Sequence, residues 1–183
     1  MSAHKIYGPK GVGLLYIRSG TPIKHQIVGG GPEYKKRAGT ENVPGIVGFS
    51  KAIGLIDRSK NERLEKLRDK LIDGLLKIPN SRLNGSREDR SPANVNISFL
   101  NAEGESILLN LDMEGIAAST GSACTSGSLE PSHVLSAMGL PPEECHGSVR
   151  FTLGRQTTAE EIDQVIVVMK NTVEKLRKMS PLK

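Results

Sequence analysis

The chain has 183 residues, a formal net charge of +5 and two cysteines. This length is enough for one good core or two small lobes, and two cysteines do not make a disulfide framework, which favours a reducing, cytoplasmic setting. The apolar runs are short, as at 165–169, and far below the roughly 20 residues that cross a bilayer. We therefore expect no membrane partner.

The positive net charge does not predict a nucleic-acid partner. In residues 57–90 acidic side chains interleave with the basic ones, which is typical of a solvated helix face. Three Phe, three Tyr and no Trp also leave few platforms on which bases could stack. We therefore expect no nucleic-acid binding.

The first predicted element is a buried strand over residues 12–17, an apolar run that follows a glycine-dense start. The sequence GGGP at 29–32 predicts turns. A helix is then predicted from Pro44 to about residue 57, with Asn42 as its N-cap.

A second helix is predicted over residues 61–77, because its leucines recur at spacings of three and four and so share one face. Residues 95–99 alternate apolar with polar side chains, as in a half-buried strand. A short helix over 103–111 and a brief strand over 116–118 then lead towards Cys124.

The last part of the chain predicts two more helices and a strand. One helix opens at Pro131 and ends at Gly139. A strand over 149–153 places Arg150 on the face away from the packed one. A capping box at 158–161 starts a long amphipathic helix. The mixture of helices and strands predicts an α/β fold with some antiparallel pairing.

Cys124 carries the only thiol in a segment of small residues, 119–131. Ser, Thr, Gly and Ala offer little apolar area to bury, at roughly 25 cal/mol per Å², so we expect a mobile loop that presents this thiol. A free cysteine is also commonly an inert, buried hydrophobe, and the residues alone leave both interpretations open. Cys145 is predicted to be structural.

Lys5 lies in the glycine-dense start of the chain, beside His4. Glycine lets backbone approach a ligand closely, and a lysine in cationic or apolar surroundings can form a Schiff base with a carbonyl. An ordinary surface lysine is the commoner interpretation of these residues taken alone.

Four segments resemble a known family, and they occur in the order found in that family. They are SAHKIYGPKGVG at 2–13, GGGPEYKKRAGTENV at 29–43, STGSACTSGSLEP at 119–131 and SVRFTLGRQTT at 148–158. These segments resemble the pyridoxal-phosphate-dependent cysteine desulfurases of class V aminotransferase type, which feed iron–sulfur cluster assembly. The resemblance implies the C-terminal half of a fold-type-I pyridoxal-phosphate transferase. Residues 1–58 would be the end of the large, cofactor-binding domain, and residues 59–183 the complete small α/β domain with the cysteine loop.

The resemblance implies a cofactor role for five residues. Lys5 would hold pyridoxal phosphate as a Schiff base and move protons during turnover. Ser2, Ala3 and His4 would contribute contacts to the cofactor phosphate. Thr40 would reach the phosphate of the partner subunit's cofactor, which implies a homodimer.

The resemblance implies two further roles, on the substrate L-cysteine. Arg150 would bind the substrate carboxylate, which suits its planar fork of donors. Cys124 would attack the substrate sulfur and leave L-alanine and a cysteine persulfide. The sulfur would pass to an iron–sulfur scaffold or another acceptor protein, where Cys124 could serve as a transient cluster ligand. No stable metal site is implied.

The chain departs from the family in two respects. Pro32 stands where the family usually has glutamine. The family residues that contact the cofactor ring precede the lysine and have no counterpart in residues 1–183. Two alternatives to a desulfurase therefore stay open: a selenocysteine lyase, and a non-catalytic module that binds scaffold or acceptor proteins.

Overall fold

The computed structural model describes residues 1–120 and 131–179 of the chain. Cys124, and with it most of the segment predicted to form a loop, lies outside the described residues. The chain divides into two compact units, Met1–Arg58 and Ser59–Lys183, which we call unit 1 and unit 2. Among the described residues, no helix is both long and apolar enough to cross a membrane.

Unit 1 is built from short turns and one helix. Helix α1 spans Val43–Gly54, and 3₁₀ turns cover Ala3–Ile6 and Glu33–Lys35. Asn42 caps α1 as predicted, because its Oδ1 accepts a hydrogen bond from the Gly45 N–H at 3.1 Å. The helix ends a few residues earlier than predicted.

The prediction of a buried strand over residues 12–17 is wrong. Gly13 pairs with Ser2 in an isolated bridge, and the apolar side chains that follow stay accessible, with Leu15 71% and Tyr16 79% exposed. A strand is buried only against neighbouring strands or helices, and the described residues of unit 1 form no sheet. An apolar run alone does not supply that neighbour.

Unit 2 contains a three-stranded antiparallel sheet in the order β1–β2–β3. The strands span Ser81–Leu83, Asn94–Phe99 and Ser148–Thr152. Ile97 lies opposite Leu83 on one side and Val149 on the other. Because side chains alternate along a strand, this register collects apolar residues on one face and polar residues on the other.

Three helices pack on the apolar face of this sheet: α2 (Asn61–Leu75), α3 (Gly104–Met113) and α6 (Ala159–Met179). They correspond to the predicted helices. The shared core includes the fully buried side chains of Leu75, Val95, Ile97, Phe99, Ile107, Leu111, Val149, Met169 and Val173. The predicted capping box of α6 is confirmed, since the Thr158 and Glu161 N–H groups each donate to the other's side chain, at 2.8 and 3.2 Å.

Two short helices, α4 (His133–Ala137) and α5 (Pro142–His146), precede β3. Helix α4 starts later than predicted, but Gly139 follows its end with φ +84°, as expected of a C-terminal glycine. Helix α5 was not predicted. The brief strand expected over 116–118 is wrong: the pairing falls one residue later, in an isolated bridge between Ser119 and Arg150.

Candidate active site

The lysine of the predicted cofactor site lies in a turn whose backbone is fixed on both sides. Ala3 is fully buried; its N–H donates to Val12 O at 3.1 Å, and its carbonyl accepts from Gly8 N at 2.9 Å. The Lys5 N–H donates to Ser2 O at 3.2 Å. The side chains of His4 and Lys5 are exposed. The lysine amine is therefore accessible, while hydrogen bonds fix the backbone that carries it.

Gly8 allows this turn to pack closely on α1. A Cβ at Gly8 would lie 3.0 Å from Ala3 O and 3.2 Å from the Cβ of Ala52, which belongs to α1. Tyr7, just before it, has a left-handed φ of 65°, which is uncommon for a residue with a side chain. The turn therefore has a specific shape that depends on a residue without a side chain at position 8.

Thr40 lies elsewhere in unit 1, on the exposed segment that leads into α1. Its neighbour Ala38 is buried and donates its N–H to Ile27 O at 3.2 Å. Gly39 between them has φ +103°. Among the described residues, no hydrogen bond joins Thr40 to the 3₁₀ turn that holds Lys5.

Arg150 lies in the centre of a transverse row of polar residues on the sheet face opposite the core. Asn84 N donates to Asn96 O at 2.9 Å, Asn96 is opposite Arg150 in the β2–β3 register, and Arg150 exchanges two backbone hydrogen bonds with Ser119, at 2.7 and 3.1 Å. We call Asn84, Asn96, Arg150 and Ser119 the polar row. As predicted, Arg150 points away from the packed face.

The Nε of Arg150 is buried and has no hydrogen-bond partner within the described residues. An unmet buried donor costs about 1–3 kcal/mol, so this nitrogen favours an acceptor supplied by a ligand. A planar carboxylate is the usual acceptor for such a donor.

The structure brings some of the predicted site residues together and leaves others apart. Ser2, Ala3, His4 and Lys5 share one turn of unit 1, whereas Arg150 belongs to the sheet of unit 2. Cys124 lies outside the described residues. Cys145 is buried, and its thiol lies 3.7 Å from Leu140 O, in agreement with the structural role predicted for it.

The residues of the lysine turn fit pyridoxal phosphate in part. A primary amine on a fixed turn suits covalent attachment to a carbonyl group, and the Ser2 hydroxyl is a suitable phosphate donor. The Ala3 N–H is already used by Val12 O, so Ala3 shapes the turn rather than offering that donor. The turn therefore supplies an amine that can attach the cofactor covalently and a hydroxyl that can donate to its phosphate.

Sequence reasoning missed the asparagines of the polar row. The alternation around Asn96 indicates a polar face, but the place of Asn84 depends on how β1 pairs with β2. Ser119 was missed for the same reason, because its partner Arg150 is distant in sequence. No local pattern encodes these pairings.

The aminotransferase class-V family matches residues 1–165 of the chain. The chain therefore belongs to the aminotransferase class-V family.

Within that family, the chain is similar to cysteine desulfurases. It is 56% identical over 185 residues to the cysteine desulfurase IscS of Methanosarcina thermophila, covering all of this chain and 46% of the relative. It is 57% identical over 187 residues to that of Dictyoglomus turgidum, covering 48% of it. The chain thus spans just under half the length of these relatives.

Solved structures support the same grouping. A NifS-like protein superposes with a TM-score of 0.79 and 39% identity, over 96% of this chain and 45% of the other. A NifS-like protein from Rickettsia africae superposes with a TM-score of 0.74 and 30% identity. This match covers 84% of this chain and 41% of the other. The predicted α/β class and the predicted resemblance are confirmed.

Proposed function

We propose that this chain is the part of a cysteine desulfurase that carries the cofactor lysine, the carboxylate-binding arginine and the sulfur-accepting cysteine. Relatives that are 53–57% identical over the whole chain are named cysteine desulfurases. The observation that carries the proposal is the lysine turn, in which hydrogen bonds at Ala3 fix the backbone beside the exposed amine of Lys5.

Pyridoxal phosphate, when bound, supplies the electron sink for cleavage of bonds in the substrate. Lys5 would hold it covalently through Nζ, with Ser2 and His4 contributing donors to its phosphate. Thr40 would reach the phosphate of the cofactor in the partner subunit of a homodimer. Residues 1–58 would then be the end of a cofactor-binding domain.

The substrate of this reaction would be L-cysteine. Arg150 would bind its carboxylate and orient it, and the Cys124 thiolate would attack its sulfur. The carbon–sulfur bond breaks as a sulfur–sulfur bond forms on Cys124, and the carbon takes a proton to give L-alanine. A free thiol with pKa near 8.5 is only a few per cent ionised at neutral pH, so this step needs a group that accepts the thiol proton.

Residues 59–183 would form the small domain that presents Cys124 to acceptors. The persulfide sulfur would pass to an iron–sulfur scaffold or another acceptor protein in the cytoplasm, with Cys124 as a transient cluster ligand during transfer. The motivation is the similarity of the chain to relatives named IscS.

Reductive trapping tests the cofactor role of Lys5 directly. The chain is mixed with the part of the Methanosarcina thermophila relative that it does not cover, incubated with pyridoxal phosphate, reduced with borohydride and digested for mass spectrometry. We expect the cofactor on the Lys5 peptide, and its loss in Lys5→Ala. Lys10→Ala is the matched control, because Lys10 is an exposed lysine in the same glycine-dense segment.

A label spread over surface lysines, or one that survives Lys5→Ala, would remove Lys5 from the cofactor site. The same holds if no lysine is trapped although the two parts form a stable complex.

A second candidate function is a module without catalysis that binds acceptor proteins. The observation in its favour is that unit 2 has a hydrophobic core of its own around the sheet. A pull-down of an acceptor protein by the chain decides between the desulfurase and the binding module. Unchanged acceptor binding by Cys124→Ala, together with no persulfide on the wild-type chain, would support the binding module.

A further inference from the structure

We infer that Asn96 is a second ligand for the carboxylate that Arg150 binds, and that Asn84 holds the Asn96 amide in the orientation this requires. The inference rests on the proposed function, because the carboxylate role of Arg150 comes from there. It concerns the polar row of unit 2, all of which lies in the described residues.

Backbone pairing places the two side chains next to each other. Asn96 and Arg150 are direct partners in the antiparallel register of β2 and β3. Partners on one face of such a pair have Cβ atoms about 4.5–5.5 Å apart. The neighbours of Arg150 along β3, Val149 and Phe151, point into the core, so Asn96 is its cross-strand companion on the polar face.

Asn84 determines which end of the Asn96 amide is available. The Nδ2 of Asn84 donates to Asn96 Oδ1 at 2.6 Å and to Ser98 Oγ at 2.9 Å. This engages the carbonyl oxygen of the Asn96 side chain and leaves its NH₂ group as a donor. Asn84 is 5% exposed, and its own Oδ1 has no partner among the described residues, which is the cost of this orientation.

The centre of the row therefore presents donors. The guanidinium of Arg150 has no acceptor atom, and its buried Nε has no partner among the described residues. The NH₂ of Asn96 adds a second type of donor beside it. A carboxylate has two oxygens in one plane and can accept from both groups at once.

The centre of the polar row is partly exposed, whereas the centre of the neighbouring row is covered. Helix α5 lies over the adjacent row, where Arg82 pairs with Glu144 at 2.7 Å and Ser148 Oγ donates to Cys145 O at 2.7 Å. Asn96 and Arg150, in contrast, are only partly buried. A small anion can reach the centre of one row and not the other.

Direct binding of a simple carboxylate to the full chain tests the inference without the cofactor. The probe is propionate, and propionamide is the matched neutral ligand. Binding is followed by NMR on the Nε–H resonance of Arg150, which is assigned by its absence in Arg150→Lys. The variants are Asn96→Ala and Asn96→Asp, and Asn94→Ala is the control, because Asn94 lies on the same strand and face but pairs with Thr152.

We expect propionate, but not propionamide, to shift the Arg150 resonance to saturation. Loss of one hydrogen bond to a charged group corresponds to about tenfold weaker binding. We therefore expect Asn96→Ala to lower the affinity for propionate by about that factor. Asn96→Asp is expected to abolish binding, and Asn94→Ala to stay within about twofold of the wild type.

If a folded Asn96→Ala chain binds propionate with wild-type affinity, the role of Asn96 is overturned and the role of Arg150 is left intact. No shift of the Arg150 resonance with propionate would also overturn the inference. Neither result bears on trapping of the cofactor by Lys5, which tests the proposed function separately.

Discussion

Gly147 lies at a point where backbone carbonyls leave no room for a side chain. A Cβ there would lie 2.6 Å from Phe99 O and 3.0 Å from Ala102 O. The carbonyl of Gly147 also accepts from the Phe99 N–H at 2.9 Å, so this residue joins the end of α5 to the last residue of β2. Any side chain at this position must therefore move away from the backbone carbonyls of Phe99 and Ala102.

Gly147→Ala is therefore expected to lower the free energy of unfolding of unit 2 by about 2–3 kcal/mol, the upper part of the range for overpacked core positions. Chemical denaturation measures the change. Gly115→Ala is the matched control, because Gly115 has φ +74° and no atom within 4 Å of its Cβ position. It should show only the left-handed backbone cost of about 1–2 kcal/mol. Equal losses in the two variants would contradict the steric account.

Glu103 caps the N-terminus of helix α3 with its carboxylate. Its two side-chain oxygens accept from the Glu105 N–H at 2.9 Å and the Ser106 N–H at 2.7 Å. Partial burial opposes ionisation, but hydrogen bonds from Ser106 and Glu105 outweigh it, so the pKa of Glu103 lies below its ordinary value. A lowered carboxyl pKa stabilises the fold above the unfolded pKa, and this stabilisation is lost as the pH falls through the folded pKa.

Glu103→Gln is therefore expected to lower the free energy of unfolding at neutral pH by up to about 1 kcal/mol. The difference from the wild type should shrink as the pH falls through the folded pKa of Glu103. Denaturation over a series of acidic and neutral pH values measures this. Glu114→Gln, at the other end of α3, is the control and should be neutral or slightly stabilising, because a negative charge is unfavourable there. A loss from Glu103→Gln that persists in acid would show that charge is not involved.

The elements predicted correctly are those whose signals are local. The cap at Asn42 and the capping box of Thr158 and Glu161 use residues within one turn of each other, and their hydrogen bonds form as expected. Helix α5 has only five residues, too few to show a period. The polar row joins residues as distant as Asn84 and Arg150, so it follows from sheet register rather than from local sequence.

The two units of the chain differ in how much apolar surface they bury. Unit 2 closes its own core around the sheet. Unit 1 leaves large apolar side chains accessible, among them Leu14, Leu15, Tyr16, Ile27 and Val28. The family and the α/β class could be predicted from the sequence, but burial in unit 1 could not, because it depends on neighbours that the described residues of this unit do not supply.

We expect residues 14–16 to gain a neighbouring strand when the chain binds the part of a relative that it does not cover. Hydrogen exchange measures this: the amides of Leu14, Leu15 and Tyr16 should exchange fast in the chain alone and slowly in the complex. The amides of Val95 and Ile97, in the buried sheet, are the control and should be protected in both. Fast exchange at 14–16 in a stable complex would contradict this expectation.

We propose that Lys5 and Cys124 serve one reaction that extracts sulfur from L-cysteine. The most direct measurement is peptide mass spectrometry of the assembled complex after incubation with pyridoxal phosphate and L-cysteine, with free alanine quantified. We expect one added sulfur atom on the Cys124 peptide and a matching amount of alanine, both lost in Lys5→Ala. Sulfur on Cys145 instead, or on Cys124 regardless of Lys5, would contradict it.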